Sequence, residues 1–183
     1  MKESQLCTEI IKSVNIVPNS YAWKIPDVSG KDRATQQFAP ARGFDLLIVH
    51  RGYSVAVEVK LIKAPTTVPP RRFTEFEMRS LDAIEKAGGR AWVMVGFVFA
   101  PTDVQIQKYD LPKRVRELYV TPFHHLEYLW EVGEYSYPWI REDARCVKVE
   151  FQKGAWNFNF PGMFINLTTS IKQWDEPFII RRK

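Results

Sequence analysis

The chain has 183 residues, with 26 Lys and Arg against 21 Asp and Glu, a net charge of +5, and 45% hydrophobic residues. Such a chain is long enough for one compact domain with an ample core, taken here as residues 1–183 with a core over about 1–132 and a C-terminal extension over about 133–183. The surplus of positive charge favours a polyanionic partner, and no apolar run is long enough to span a membrane, so no membrane association and a cytoplasmic location are expected. Only Cys7 and Cys146 are present, far apart and without a CxxC pair, which excludes a cysteine-built zinc or iron–sulfur motif and leaves buried thiols as the expectation.

In chain order, Leu6, Ile10, Val14 and Val17 recur at helical spacing and predict an amphipathic helix over 4–17. Residues 31–43 are polar with little periodicity and read as an arm whose Lys31, Arg33 and Arg42 can meet phosphates. Residues 43–60 (GFDLLIVHRGYSVAVEVK) read as two strands joined by a tight turn at His50, Arg51 and Gly52. Three prolines and no period over 61–72 predict an extended surface loop carrying Lys63, Arg71 and Arg72. A helix comes next over 73–87, with Phe73, Phe76, Leu81 and Ile84 inward and Gly88-Gly89 closing it. Strands are predicted over 90–97 and 116–121, then a helix over 122–131 opening on Pro122. Its His124-His125 pair is unsuited to share one ion, because adjacent helical residues point about 100° apart, and no Cys or third His supports it. Further strands are predicted over 146–152 and 155–160 in an aromatic-dense region, and the tail ends on the basic Arg181, Arg182 and Lys183. The fold class is therefore α/β: a mixed central sheet flanked by helices.

The 43–60 hairpin carries the chemistry. Period-2 geometry points Glu58 and Lys60 to one face, and antiparallel pairing across the turn returns Asp45 beside Glu58. The intervening runs, 46–49 and 55–57, suit a sheet buried on both faces. Charges ending such runs are costly unless paired or metal-bound. A strand-end ion pair between Glu58 and Lys60 is the plain alternative. Two carboxylates and an ammonium at one sheet edge otherwise suit a hard divalent cation and an attacking water.

These residues resemble the PD-(D/E)XK nucleases. Phe44-Asp45 stands where that superfamily has Pro-Asp, and Glu58-Val59-Lys60 supplies E-x-K. Within it, residues 4–130 are most similar to the Holliday-junction resolvases of archaea, phages and bacteria. The resemblance implies a restriction-endonuclease-like core and a helix-borne acid at Glu9, with Glu3 as its alternative. It also implies a strand and loop over 20–30 in which Lys24 takes an arginine's place and Ser29-Gly30 match a Ser-Gly pair. Where the family has Gln-x-x-x-Leu, this chain has Glu77 to Leu81, a departure that leaves the role of Glu77 open. The implied cofactor is Mg²⁺ (Mn²⁺ as substitute), held by Asp45, Glu58 and the Val59 carbonyl, with Lys60 stabilising the attacked phosphate. The implied DNA-binding residues are Lys24, Ser29, Lys31, Arg33, Arg42, Lys63, Arg71 and Arg72. The implied activity is phosphodiester hydrolysis leaving 5′-phosphates on four-way DNA junctions, by a homodimer. Alternatives are another nuclease on this core acting on linear or flapped DNA, and a non-catalytic nucleic-acid-binding module.

Overall fold

The computed structural model describes residues 1–26, 43–65, 67–133 and 135–163. The expected sites Ser29, Lys31, Arg33 and Arg42, and the basic tail, lie outside the described residues. In chain order the elements are helix α1 (Glu3–Asn15), strands β1 (Ser20–Lys24), β2 (Leu46–His50) and β3 (Tyr53–Ile62), and helix α2 (Glu75–Lys86). Next come β4 (Ala91–Phe99), α3 (Asp103–Tyr109), β5 (Val115–Pro122), α4 (Phe123–Glu131), α5 (Tyr137–Glu142), β6 (Val147–Gln152) and β7 (Ala155–Asn157). These seven strands form one sheet in chain order. Among them only β3 and β4 run parallel, with α2 as their crossover; every other neighbouring pair is antiparallel. The architecture is mixed α/β, a central sheet flanked by helices.

The hairpin register is set by its turn. Arg51 (φ 48°) and Gly52 (φ 84°) both take left-handed backbone, the type I′ geometry whose twist matches paired strands. That two-residue loop pairs His50 with Tyr53 and, by counting back, Leu46 with Val57. β3 is buried from Val55 to Ile62, Glu58 and Lys60 included, because α2 and α4 cover one face of the sheet and α1 the other.

Two apolar layers result. On one face Leu6, Ile10 and Val14 of α1 pack with Ile48, Val57, Val59, Trp92, Met94 and Trp156. Each fully buried aliphatic chain there contributes about 1.5–3 kcal/mol. On the other face α2 and α4 cover Ala56, Val93, Val95, Phe97 and Tyr119. Asn15, the last residue of α1, accepts from the Ala22 N–H (2.6 Å) and donates to the Ala22 carbonyl (3.2 Å). One side chain thereby satisfies backbone groups of β1, which has no further strand beyond it among the described residues. At the far end the Trp156 N–H donates to Ser13 Oγ (3.0 Å), which ties β7 to α1.

Several expectations are corrected. The helix expected over 73–87 begins at Glu75, and Phe76 is 45% exposed while Phe73, ahead of the helix, is buried. Thr74 caps it in a reciprocal box with Glu77, so the helix starts after Phe73, and Phe76 falls off the face on which Leu81 and Ile84 pack. The segment expected as an irregular loop from residue 61 instead prolongs β3 through Ile62 and ends in a 3₁₀ turn at Pro70–Arg72. The strand expected over 155–160 stops at Asn157, although Phe158 and Phe160 remain buried. Helices α3 and α5 are too short to leave an apolar period. Both cysteines are buried, and no disulfide joins them.

Gly96 in β4 lies under α1, where an added Cβ would sit 2.5 Å from Leu6 Cδ2. Gly96→Ala is therefore expected to destabilise by about 1–3 kcal/mol in urea unfolding. Combined with Leu6→Ala, it should cost less than the sum of the single changes, because the truncated leucine vacates the space the methyl needs.

Candidate metal centre

Beyond Leu46 the chain of β2 leaves β3, while β3 itself continues to Ile62. The Asp45 N–H still donates to the Val57 carbonyl (3.0 Å), but one step farther the side chain takes over: Asp45 Oδ2 accepts from the Val59 N–H at 2.9 Å. Asp45 (3% exposed) thus fills a backbone position that a further strand residue would have filled, and keeps its carboxylate beside Glu58. The Val59 carbonyl leaves β3 on the same edge as its N–H, toward that carboxylate.

Glu58 is 1% and Lys60 5% exposed, so this is no solvated ion pair. Lys60 Nζ donates to Glu58 Oε1 at 2.5 Å and to Glu77 Oε2 at 3.3 Å, and lies 4.8 Å above the Phe73 ring. Glu77 is brought there by the cap of α2, where its Oε2 also accepts from the Thr74 N–H at 2.7 Å. In the sequence Glu77 stands out only as a departure from the family's Gln-x-x-x-Leu; the capping-box pattern Thr74-x-x-Glu77 is the local signal that could have placed it.

Electrostatically the cluster holds three carboxyls, Asp45, Glu58 and Glu77, against one ammonium. Burial, and then the neighbouring Asp45 carboxylate, push Glu58 up to about 9, against the pull of Lys60. Burial alone would favour neutral Lys60, but Glu58, Glu77 and Glu3 outweigh it and raise its pKa, so the ammonium persists. Burial likewise opposes ionisation of Glu77, yet the Thr74 N–H and Lys60 hold it below the ordinary carboxylate range. Glu58 Oε2 is buried and, among the described residues, has no hydrogen-bond partner. A buried carboxyl oxygen left this way is costly, and an all-oxygen set rich in carboxyls is what a hard divalent cation requires. The residues present fit such an ion.

The two helix-borne acids are separated by the structure. Glu3 Oε2 accepts from the Leu61 N–H (3.0 Å) and from Arg72 Nη2 (3.2 Å), next along β3 from Lys60. Glu9 instead accepts from Arg116 Nη2 (2.7 Å) and Trp156 Nε1 (3.3 Å), across the sheet beside β5 and β7. Glu9 is thus not brought together with Asp45 and Glu58. Among the basic residues, Lys24 ends β1 opposite Leu46 and is exposed, one residue before the Ile25 N–H that donates to the Asp45 carbonyl (2.9 Å). Lys63, Arg71 and Arg72 line a cleft of about 820 Å³ together with Lys2, Glu3 and Pro69. Arg72 is held in place by Glu3 and by the Leu61 carbonyl (3.1 Å).

No protein-family model matches the chain, and no curated protein sequence does. Among solved structures it is similar to Hjc, a Holliday junction resolvase from the archaeal hyperthermophile Archaeoglobus fulgidus, at 16% identity and a TM-score of 0.35, over 81% of this chain and 84% of that one. No helix among the described residues is long and apolar enough to cross a membrane.

The raised Glu58 makes a prediction for the protein in EDTA. Unfolded, Glu58 ionises near its ordinary 4.5; folded, it keeps its proton to about 9. The folded state therefore binds more protons between those values, and stability falls as pH rises across that window. Glu58→Gln removes this penalty, up to about 3 kcal/mol at pH 7 less the cost of Lys60's lost partner. Thermal melts should show the variant gaining on wild type steadily from about pH 5 to about pH 8.5, inside the window between the two pKa values.

Proposed function

We propose that this chain is a divalent-metal-dependent DNA endonuclease, acting on four-way junctions. The observation that carries the reading is the buried imbalance of three carboxyls against one lysine at the end of the hairpin. A divalent cation supplies the two positive charges that the set lacks. Asp45, Glu58 and the Val59 carbonyl would hold it, as Mg²⁺ with Mn²⁺ as substitute. When bound, such an ion acidifies a water and neutralises charge developing on a phosphate.

The chain's own residues do the rest. Lys60 keeps its proton, so it serves as a fixed positive donor to the phosphate oxygens rather than as a base. Glu77 and the Phe73 ring hold the lysine against Glu58 and limit its rotamers. Glu3, rather than Glu9, is the helix-borne acid that borders this group, and through Arg72 it fixes the basic wall of the cleft. Lys2, Lys63, Arg71 and Arg72 offer positive charge to a nucleic-acid backbone, a mode of binding that is sequence-independent and weakened by salt. The outer Lys24 extends that charge to the β1 side of Asp45. Preference for junctions rests on the resemblance of the E-x-K hairpin to the resolvases. Paired symmetric nicks would call for a two-fold homodimer.

The decisive experiment compares cleavage of a labelled immobile four-way junction with a linear duplex of the same arms, in Mg²⁺ and in EDTA. Wild type should nick the junction symmetrically in Mg²⁺ alone, and Asp45→Asn or Glu58→Gln should abolish it. Equal cutting of the linear duplex would replace the substrate while keeping the site. Tight binding without cutting in either Mg²⁺ or Mn²⁺ would overturn the catalytic reading.

Two further outcomes apportion the neighbours. Lys60→Ala should lower the single-turnover rate by about 100–1,000-fold, the range for losing one preorganised donor, with junction affinity little changed. Glu3→Gln should reduce cleavage, whereas Glu9→Gln should lower the melting temperature through Arg116 and Trp156 and leave the cleavage rate near wild type.

A further inference from the structure

A second group of ligand-bearing side chains lies on the same face of the sheet as the carboxylate cluster, two strands along. His125 comes from α4, Asp143 from the C-terminal cap of α5, and Cys146 from the residue before β6. One ligand atom of each, drawn from imidazole nitrogen, carboxylate oxygen and thiol sulfur, lies within 4.8 Å of the other two. His125 Nε2 is 2.7 Å from Asp143 Oδ2. The other carboxylate oxygen, Oδ1, accepts from the Arg145 N–H (2.8 Å) and faces Arg145 Nε (3.5 Å), which fixes the carboxylate's orientation. Thr121 hydrogen-bonds the Cys146 side chain from β5.

Three readings compete for this group. A Cys-His-Asp nucleophile needs a thiolate that a substrate can reach. Here His125 is 0% and Cys146 6% exposed, and burial pushes the thiol up to about 12. A purely structural histidine–carboxylate pair explains His125 and Asp143 but gives no reason for sulfur beside them. A metal ion accounts for all three, because sulfur, nitrogen and oxygen together are a ligand set that Zn²⁺ accepts.

We propose that His125, Asp143 and Cys146 form a zinc site. Ionised Asp143 and Cys146 balance the two positive charges, and neutral His125 completes a set with no net charge, which suits a buried location. Zinc bonds of about 2.0–2.3 Å at tetrahedral angles place ligand atoms roughly 3.5 Å apart. Reaching that spacing takes side-chain movements of about an ångström, opening the hydrogen-bonded His125–Asp143 pair from 2.7 Å and closing the widest separation, which is at most 4.8 Å. The thiol releases one proton on binding, the imidazole proton moves to the ring nitrogen that does not ligate, and water on the partly exposed Asp143 side fills the fourth position.

The site ties α4, the end of α5 and the start of β6 to one point, pinning residues 137–152 against the sheet. It is separate from the proposed nuclease centre. Glu58, Val93 and Thr121 occupy one row across β3, β4 and β5, so the two groups are on the order of 10 Å apart at the strand spacing. Softness separates them as well: the oxygen-only set prefers Mg²⁺, and the thiolate selects zinc.

The test uses the full chain, stripped with chelator and then titrated with Zn²⁺ or Co²⁺. The Glu58→Gln chain, in which the oxygen-only set is crippled, should bind one Zn²⁺ and gain several degrees in melting temperature. The Co²⁺ form should show a thiolate-to-cobalt charge-transfer band in the near ultraviolet, with the visible bands of a tetrahedral ion. Cys146→Ser should abolish the charge-transfer band and Asp143→Asn should weaken zinc binding at least about tenfold. Glu58→Gln should retain both. A wild-type cobalt form without thiolate charge transfer would overturn the proposal by itself, whether or not the variants fold. So would undiminished zinc uptake by Cys146→Ser.

Discussion

Charge placed where water cannot reach it governs this molecule. β3 runs on past the end of its pairing with β2, and the edge left without a neighbour there would carry buried backbone groups with no partner. Asp45 answers for one of these by accepting from the Val59 N–H, so its carboxylate is structural at one oxygen and placed beside Glu58 by the same bond. The register then puts Glu58 across from Asp45, and Lys60 two residues later on the same face. Two acids and one base are thereby fixed in an interior that screens them poorly, and Glu77 joins them from α2. Satisfying the backbone and assembling the charged cluster are one structural act.

The surrounding elements take their places relative to that cluster. α2 begins where it does because Thr74 and Glu77 close its first turn, and the carboxylate that caps the helix also holds Lys60. Phe73, immediately before the cap, supplies the ring beneath the ammonium. α1 brings Glu3 to the Leu61 N–H and Arg72, so the cleft's basic wall is fastened to the strand that carries the lysine. Far along the sheet, Glu117 accepts from Tyr119, Tyr137 and Lys148, joining α5 and β6 to β5. Burial there opposes its ionisation, and the three donors together hold it below its usual range. In both places an acid is tolerated inside only because several donors converge on it.

Much of this is legible in the sequence where the determinants are local. The hairpin is specified by Arg51-Gly52, whose backbone fixes the register, and by apolar runs that end on Asp45 and Glu58. The helix of α1 shows in its 3.6-residue spacing. Short or interrupted elements are not legible in the same way: α3 and α5 are two turns or fewer, and three prolines over 61–72 conceal that β3 continues to Ile62. The apolar count places Leu81 and Ile84 correctly but misplaces Phe76, which lies in the first turn after the Thr74 cap and off the packed face.

The sequence by itself therefore determined the chemistry of the hairpin, because turn, alternation and charge all act within a span of about fifteen residues. Tertiary structure decided which distant groups meet it. Glu3 and Glu9 are separated along α1 by an angle of about 120° around the helix, so only one could face β3. The rotation of α1 on the sheet, set by Leu6 over Gly96, chose Glu3. His125 stands beside His124 with no cysteine or third histidine near it in sequence. The antiparallel order of β5 and β6 brings Cys146 and Asp143 to it, because strand order joins residues that no local pattern connects.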